Sequence, residues 1–164
     1  MRCLLIFTEF LELQRIIQHF VAERYGIRPR VINGAVKSGG AGPDSRQSYI
    51  DEFQEAPGFA VLILSPIAAG FGLNIQAANH VIHFTRPWNP AKEDQATDRA
   101  YRIGQNRDVF VYYPTIIADG FVTFEEKLDQ LLTQKRELAN NMYNGTFEVA
   151  PDDFQELFES GKGA

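Results

Sequence analysis

Gln95, Arg99 and Arg102 are spaced i, i+4, i+7 within residues 94–105, DQATDRAYRIGQ. On an α-helix this spacing puts all three side chains on one side. Two guanidiniums and an amide along one helix edge suit a chain of phosphates, because arginine stays charged and grips oxyanions bidentately. A solvated helix face has the same spacing, so residue types alone leave both readings open. Ala96, Ala100 and Ile103 repeat the spacing roughly 100° further round, which gives the helix a small apolar stripe to bury. Gly104 then offers a stop. A helix seated on small residues would hold its arginines rigidly.

Those side chains need a scaffold, and the rest of the chain reads as one. Residues 2–8 (RCLLIFT) are an apolar run with β-formers, a fully buried strand. Residues 11–25 carry apolar side chains at 13, 16, 17, 20 and 21, an amphipathic helix that Gly26 ends. Further short strands are expected at 29–32, 59–64, 81–84 and 109–113. Asp44 or Ser45 caps a helix with apolar positions Tyr49, Ile50 and Phe53, and Pro57 with Gly58 breaks it. Pro90 suits the first turn of the helix that bears Gln95. Thr123 and Glu126 form an S/T-x-x-E capping box for a long helix over 123–142, and 151–158 reads as a short final helix. Alternating buried strands and amphipathic helices predict an α/β fold, a parallel sheet flanked by helices.

Composition bounds the function. At 164 residues the chain is one domain by size, and its 45% apolar and 12% aromatic content is that of a globular core. It has no apolar run of membrane-spanning length and no signal-peptide pattern, so no membrane partner is expected. The single cysteine, Cys3, cannot form an internal disulfide and reads as a buried small hydrophobe in a reducing, intracellular setting. The histidines, His19, His80 and His83, have no partner cysteines at ligand spacing, so no metal ligands are assigned. A net charge of −5 is not the basic balance that nucleic-acid binding usually brings, yet backbone N–H groups and helix N-termini also hold phosphates. Residues 65–75 (SPIAAGFGLNI) follow a strand with small residues at Ala68, Ala69, Gly70 and Gly72, which permit close approach to the backbone. Read alone, that is the pattern of a turn, and the third glycine of a dinucleotide fingerprint would fall at Ile75.

Several of these stretches resemble one family. QATDRAYRIGQ resembles the last helicase motif of the Swi/Snf-type ATPases, Q-x-x-x-R-x-x-R-I-G-Q, and WNPAKEDQ before it resembles their WNP segment. SPIAAGFGLNI is similar to the fifth motif, with Ser65, Gly70, Gly72, Leu73 and Asn74 matching. LIFTEF at 5–10 resembles the fourth motif, L-I-F-S-Q-F, with Glu9 where glutamine is common. Asn33-Gly34 followed by Arg46 and Phe53 resembles the H-G segment and its R-x-x-x-I-x-x-F helix, and 123–138 resembles the T-I-E-E-K-I helix that follows the lobe. The DEAD-box pattern H-R-x-G-R-x-x-R does not fit Ile103-Gly104-Gln105.

The resemblance implies a RecA-like C-terminal lobe over 1–120 with a helical extension over 121–164. It implies ATP with Mg²⁺ in a cleft against an N-terminal RecA-like lobe of the same parent chain, and double-stranded DNA as substrate, with protein partners possible. Arg99 and Arg102 are implied as arginine fingers, and Gly70, Gly72, Asn74 and Gln95 as nucleotide contacts. Ser65 and Trp88 are implied beside DNA. Arg46 is either a structural ion pair or a DNA-backbone contact. No G-x-x-x-x-G-K-[ST] loop and no D-E-x-H box occur, so this chain by itself is expected not to hydrolyse ATP. The expected setting is cytoplasmic, or nuclear in a eukaryote. The reading from another class is a free-standing, non-catalytic DNA- or protein-binding module.

Overall fold

The computed structural model of the chain describes residues 3–36, 42–69, 73–101 and 104–143. The elements run β1 (Cys3–Phe7), α1 (Leu11–Tyr25), β2 (Arg30–Ile32), α2 (Arg46–Glu55), β3 (Ala60–Leu64), α3 (Pro66–Ala69), β4 (His80–His83), α4 (Pro90–Thr97), β5 (Phe110–Tyr112) and α5 (Phe124–Tyr143). The strands form one parallel sheet in the order β2-β3-β1-β4-β5. This is the parallel α/β architecture that the pattern predicts and the RecA-like lobe that the resemblance implies. The expected final helix at 151–158 lies outside the described residues.

The two central strands, CLLIF and AVLIL, are apolar on both faces because both faces are covered. Leu5, Phe7, Leu62, Leu64, Val81 and Ile32 pack with Ile50 and Phe53 of α2 and Ala96 of α4 on one side. Ile6, Val61 and Ile63 pack against Ile17 and Val21 of α1 on the other. The helix ends follow local chemistry. Gly26 closes α1 at φ 67°, Ser45 Oγ accepts from Ser48 N at 3.1 Å to open α2, and Asn89 Oδ1 accepts from Ala91 N at 3.0 Å to open α4. At α5 the capping box is made. Thr123 N donates to Glu126 Oε2 at 2.8 Å and Glu126 N donates to Thr123 Oγ1 at 3.3 Å. Leu128 and Leu132 are the buried contacts of α5. Among the described residues no helix is long and apolar enough to cross a membrane.

The sheet's C-terminal edge is drawn together by backbone bonds from the strand ends. Thr8 N donates to Leu64 O at 3.0 Å, Ser65 N to Ile32 O at 2.9 Å and Phe84 N to Phe7 O at 2.9 Å. Gln14 of α1 is buried here, donating to Thr8 O at 3.0 Å and accepting from Asn33 Nδ2 at 2.9 Å. In open parallel sheets this edge is where ligands bind.

His83 closes β4 in full burial, stacked between Phe7 at 5.2 Å and Tyr113 at 5.3 Å between ring centroids. Its Nε2 lies 2.8 Å from Thr97 Oγ1, and that hydroxyl donates to Glu93 O at 3.2 Å. With the hydroxyl proton so used, the imidazole is the donor, and its buried Nδ1 has no partner among the described residues. Burial lowers the pKa of His83 from 6.5 to about 4, against the pull of Glu93. The unfolded chain therefore binds more protons than the folded one between pH 4 and 6.5. Stability from this group is complete above pH 6.5 and falls as pH drops toward 4, by about 3 kcal/mol. Urea denaturation from pH 7 to 4 should show that decline in the native sequence and lose that part of it in His83→Gln. Parallel pH slopes in the two proteins would contradict the assignment.

Candidate functional site

The helix that bears Gln95 is shorter than its periodicity predicts. Regular α-helix ends at Thr97, and residues 98–100 continue as a turn, with Arg99 N donating to Ala96 O at 3.2 Å and Ala100 N to Thr97 O at 2.9 Å. The cause is tertiary. Arg99 O accepts from Ile75 N at 3.0 Å, so the carbonyl is turned toward the loop after α3. The apolar stripe itself is as expected at Ala96 and Ala100, both buried, while Ile103 lies outside the described residues.

Gln105 anchors the end of the motif. Its Nε2 donates to Gln76 O at 2.9 Å, Ala78 O at 2.8 Å and Ala100 O at 3.3 Å. Its Oε1 accepts from Arg107 N at 3.2 Å, and Arg107 Nη2 donates to Ala77 O at 2.6 Å. One amide thus ties residues 76–78 to the turn at Ala100. Gly104 lies under this clasp at φ 102°, where an added Cβ would sit 2.7 Å from Gln76 Nε2. Gly104 therefore does more than stop a helix.

These bonds bring Arg99 beside the 73–76 loop. Arg99 is partly buried, and its Nε is fully buried with no hydrogen-bond partner among the described residues. A buried guanidinium N–H without an acceptor is costly, and an oxyanion would relieve it. Gln95 and Asn74 are exposed. Arg102, Gly70 and Gly72 lie outside the described residues. Ser65 is buried, and its Oγ accepts from Ala68 N at 3.1 Å to cap α3. Trp88 is 60% exposed, with its ring edge-on to Phe124 at 5.7 Å.

Arg46 is turned inward. It is only 6% exposed, its Nε donates to Val36 O at 3.0 Å and its Nη2 reaches Asn33 O at 3.5 Å. Bound to carbonyls of the β2–α2 connection, it ties the start of α2 to the residues that follow β2.

A buried ionic hub sits on α4, and the sequence reading missed it. Glu93 is 0% exposed. Arg86 grips it bidentately, Nε to Oε1 at 2.7 Å and Nη2 to Oε2 at 3.1 Å. Arg136 of α5 donates to the same Oε2 at 2.6 Å and to Asp94 Oδ1 at 2.8 Å. Arg86 also bonds Asp129 of α5 and lies over the Tyr113 ring at 4.3 Å. Burial opposes the charge of Arg86, but its bonds to Glu93 and Asp129 outweigh that and raise its pKa. The bond to Asp94, helped by Glu93, raises that of Arg136 as well. Lys135 Nζ adds a bond to Trp88 O at 3.0 Å. No sequence signal marks this set, because its bonded partners are up to 43 residues apart. Among the described residues, no cluster of histidine, cysteine or carboxylate side chains is placed to hold a metal ion.

Against known proteins, the family described as helicase conserved C-terminal domain matches residues 2–104. Over 155 residues the chain is 54% identical to the Zorya protein ZorD of Escherichia coli O139:H28, covering 94% of this chain and 14% of that protein. The crystal structure of the C-terminal part of the Fun30 ATPase domain superposes at TM-score 0.66 and 32% identity, over 80% of this chain and 39% of that one. The Sulfolobus solfataricus SWI2/SNF2 ATPase core in complex with dsDNA superposes at TM-score 0.58 and 39% identity, over 88% of this chain and 28% of that one.

The clasp can be tested without any ligand. Gly104→Ala should cost about 1–3 kcal/mol, from a forced positive φ and the displaced Gln76 side chain. Gly34→Ala, with open space around its Cβ, should change stability by less than about 0.5 kcal/mol. Equal midpoints for the two variants in urea denaturation would refute the clasp.

Proposed function

The chain belongs to the helicase conserved C-terminal domain family, as a RecA-like C-terminal lobe of the Swi/Snf type, and on that premise we propose that it is the second motor lobe of an ATP-dependent double-stranded DNA translocase. The observation that carries this reading is Arg99, whose buried Nε has no acceptor among the described residues and whose carbonyl is held to Ile75 at 3.0 Å. A cation fixed at its backbone and unsatisfied at Nε suits an anion that arrives from outside the chain. The likeness to the Sulfolobus structure, an ATPase core in complex with dsDNA, supports both the nucleotide and the duplex as ligands here.

ATP with Mg²⁺, bound mainly by an N-terminal RecA-like lobe of the same parent protein, supplies the transferable phosphoryl group. This chain's part is electrostatic. Arg99 and Arg102 act as arginine fingers that stabilise negative charge on the transferring group when the lobes close, an effect worth roughly 10³–10⁵ in rate, or about 4–7 kcal/mol. Gln95 and Asn74, both exposed, contact or position the nucleotide, and Gly70 and Gly72 allow the backbone to come close. On the DNA side Trp88 offers an exposed ring. Ser65 Oγ accepts in capping α3, which leaves its O–H to donate to a phosphate. We assign 1–120 to the lobe and 121–164 to a helical extension. Cycles of closure step the two lobes along the duplex.

The test is ATP turnover, with and without duplex DNA, on this chain and on a two-lobed parent protein. The chain alone should be inactive. Arg99→Ala and Arg102→Ala should each lower the parent's DNA-stimulated turnover by about 10³-fold or more while keeping DNA affinity within a few-fold. Turnover retained in both variants would sink the finger assignment, and hydrolysis by the chain alone would refute the division of the site between lobes.

A further inference from the structure

The family match ends at residue 104, yet α5, which lies wholly beyond it, supplies part of the buried hub on α4. We propose that Arg136 is a positioning residue for the nucleotide site, acting through Glu93 and Asp94 to set the orientation of α4 and with it Gln95 and Arg99. The proposal rests on the reading of Gln95 and Arg99 as nucleotide contacts.

Three struts hold α4. His83 reaches Thr97 at 2.8 Å, Arg86 grips Glu93 at 2.7 and 3.1 Å, and Arg136 bonds Glu93 at 2.6 Å and Asp94 at 2.8 Å. Only the last comes from α5. Consecutive residues on a helix point roughly 100° apart, so a single guanidinium that holds both Glu93 and Asp94 resists rotation of α4 about its own axis. Gln95 is the next residue, and Arg99 follows on the turn that α4 feeds. Rotation is the motion that would swing both side chains away from a shared ligand. An ionic arrangement is a poor choice for mere adhesion, because well-packed apolar side chains usually hold a helix as firmly as buried ion pairs. Directional bonds to a carboxylate that is 0% exposed add geometric precision instead. Misplacement of a reacting group by about 1 Å can cost on the order of 100-fold in rate.

The experiment uses a two-lobed parent with saturating duplex DNA and measures kcat, KM for ATP and the thermal midpoint for Arg136→Gln, Arg136→Lys, Asp94→Asn and Arg99→Ala. Arg136→Gln should lower kcat about 10- to 100-fold with KM for ATP changed less than about threefold, because the nucleotide is held mainly by the other lobe. Arg136→Lys, which keeps the charge and one bond, should recover part of kcat. Asp94 is half-exposed, so Asp94→Asn leaves the core intact and should lower kcat about three- to tenfold at an unchanged midpoint. That variant keeps the test decisive if Arg136→Gln does not fold. Wild-type kcat in Asp94→Asn, or a loss in Arg136→Gln that lysine does not relieve at all, would overturn the proposal. Full turnover in Arg99→Ala would instead overturn the finger reading on which it rests.

Discussion

A carboxylate with no access to water constrains much of this molecule. Moving Glu93 from water into the interior is strongly unfavourable unless its charge is matched and its oxygens are bonded. Arg86 and Arg136 meet both conditions, and in doing so they commit three parts of the chain to one arrangement. Arg86 sits between β4 and α4 and brings with it the Tyr113 ring and Asp129. Arg136 brings α5. The α4 helix, which carries Glu93, cannot shift without breaking bonds to both. The geometry of the proposed nucleotide side chains is therefore inherited from a charge that they do not touch.

Two kinds of information governed what was legible in the sequence. The central strands were readable because a parallel strand covered on both faces has no polar positions, as CLLIF and AVLIL show. Helix ends were readable where a local side chain makes the cap, as at Gly26, Ser45 and the Thr123–Glu126 box. The end of α4 was not. Ala96 and Ala100 keep helical spacing and both are buried, but Ile75 captures the carbonyl of Arg99 across more than twenty residues of chain, and no local rule anticipates that. The hub was invisible for the same reason, and Glu93 reads in sequence as one more surface acid. Arg46 shows the converse, since arginine is so often exposed that its 6% accessibility inside the β2–α2 loop had no signature.

The site also shows how a backbone can be organised by single polar side chains. Gln105 joins the end of its motif to the 76–78 loop by donating to the carbonyls of Gln76, Ala78 and Ala100. Gln14 does the equivalent at the opposite, C-terminal edge of the sheet, joining Thr8 to Asn33. Both are buried or partly buried amides placed where loops of different origin meet. An amide suits that role because it donates and accepts at once without bringing in a charge.

Strand order has a consequence for synthesis. Within this lobe the first strand to leave the ribosome, β1, is the centre of the finished sheet, and its partners come late. Cys3 pairs with Ala60 and Leu4 with His80. At the usual pace of translation, roughly 5–20 residues per second, β1 waits about 4–15 seconds before its second edge can be closed. During that interval CLLIF is an apolar strand with an open hydrogen-bonding edge, the kind of segment that pairs with the wrong neighbour. The nascent chain is then most exposed to aggregation at the very segment that ends up best protected, and chaperone demand should be greatest before β4 emerges.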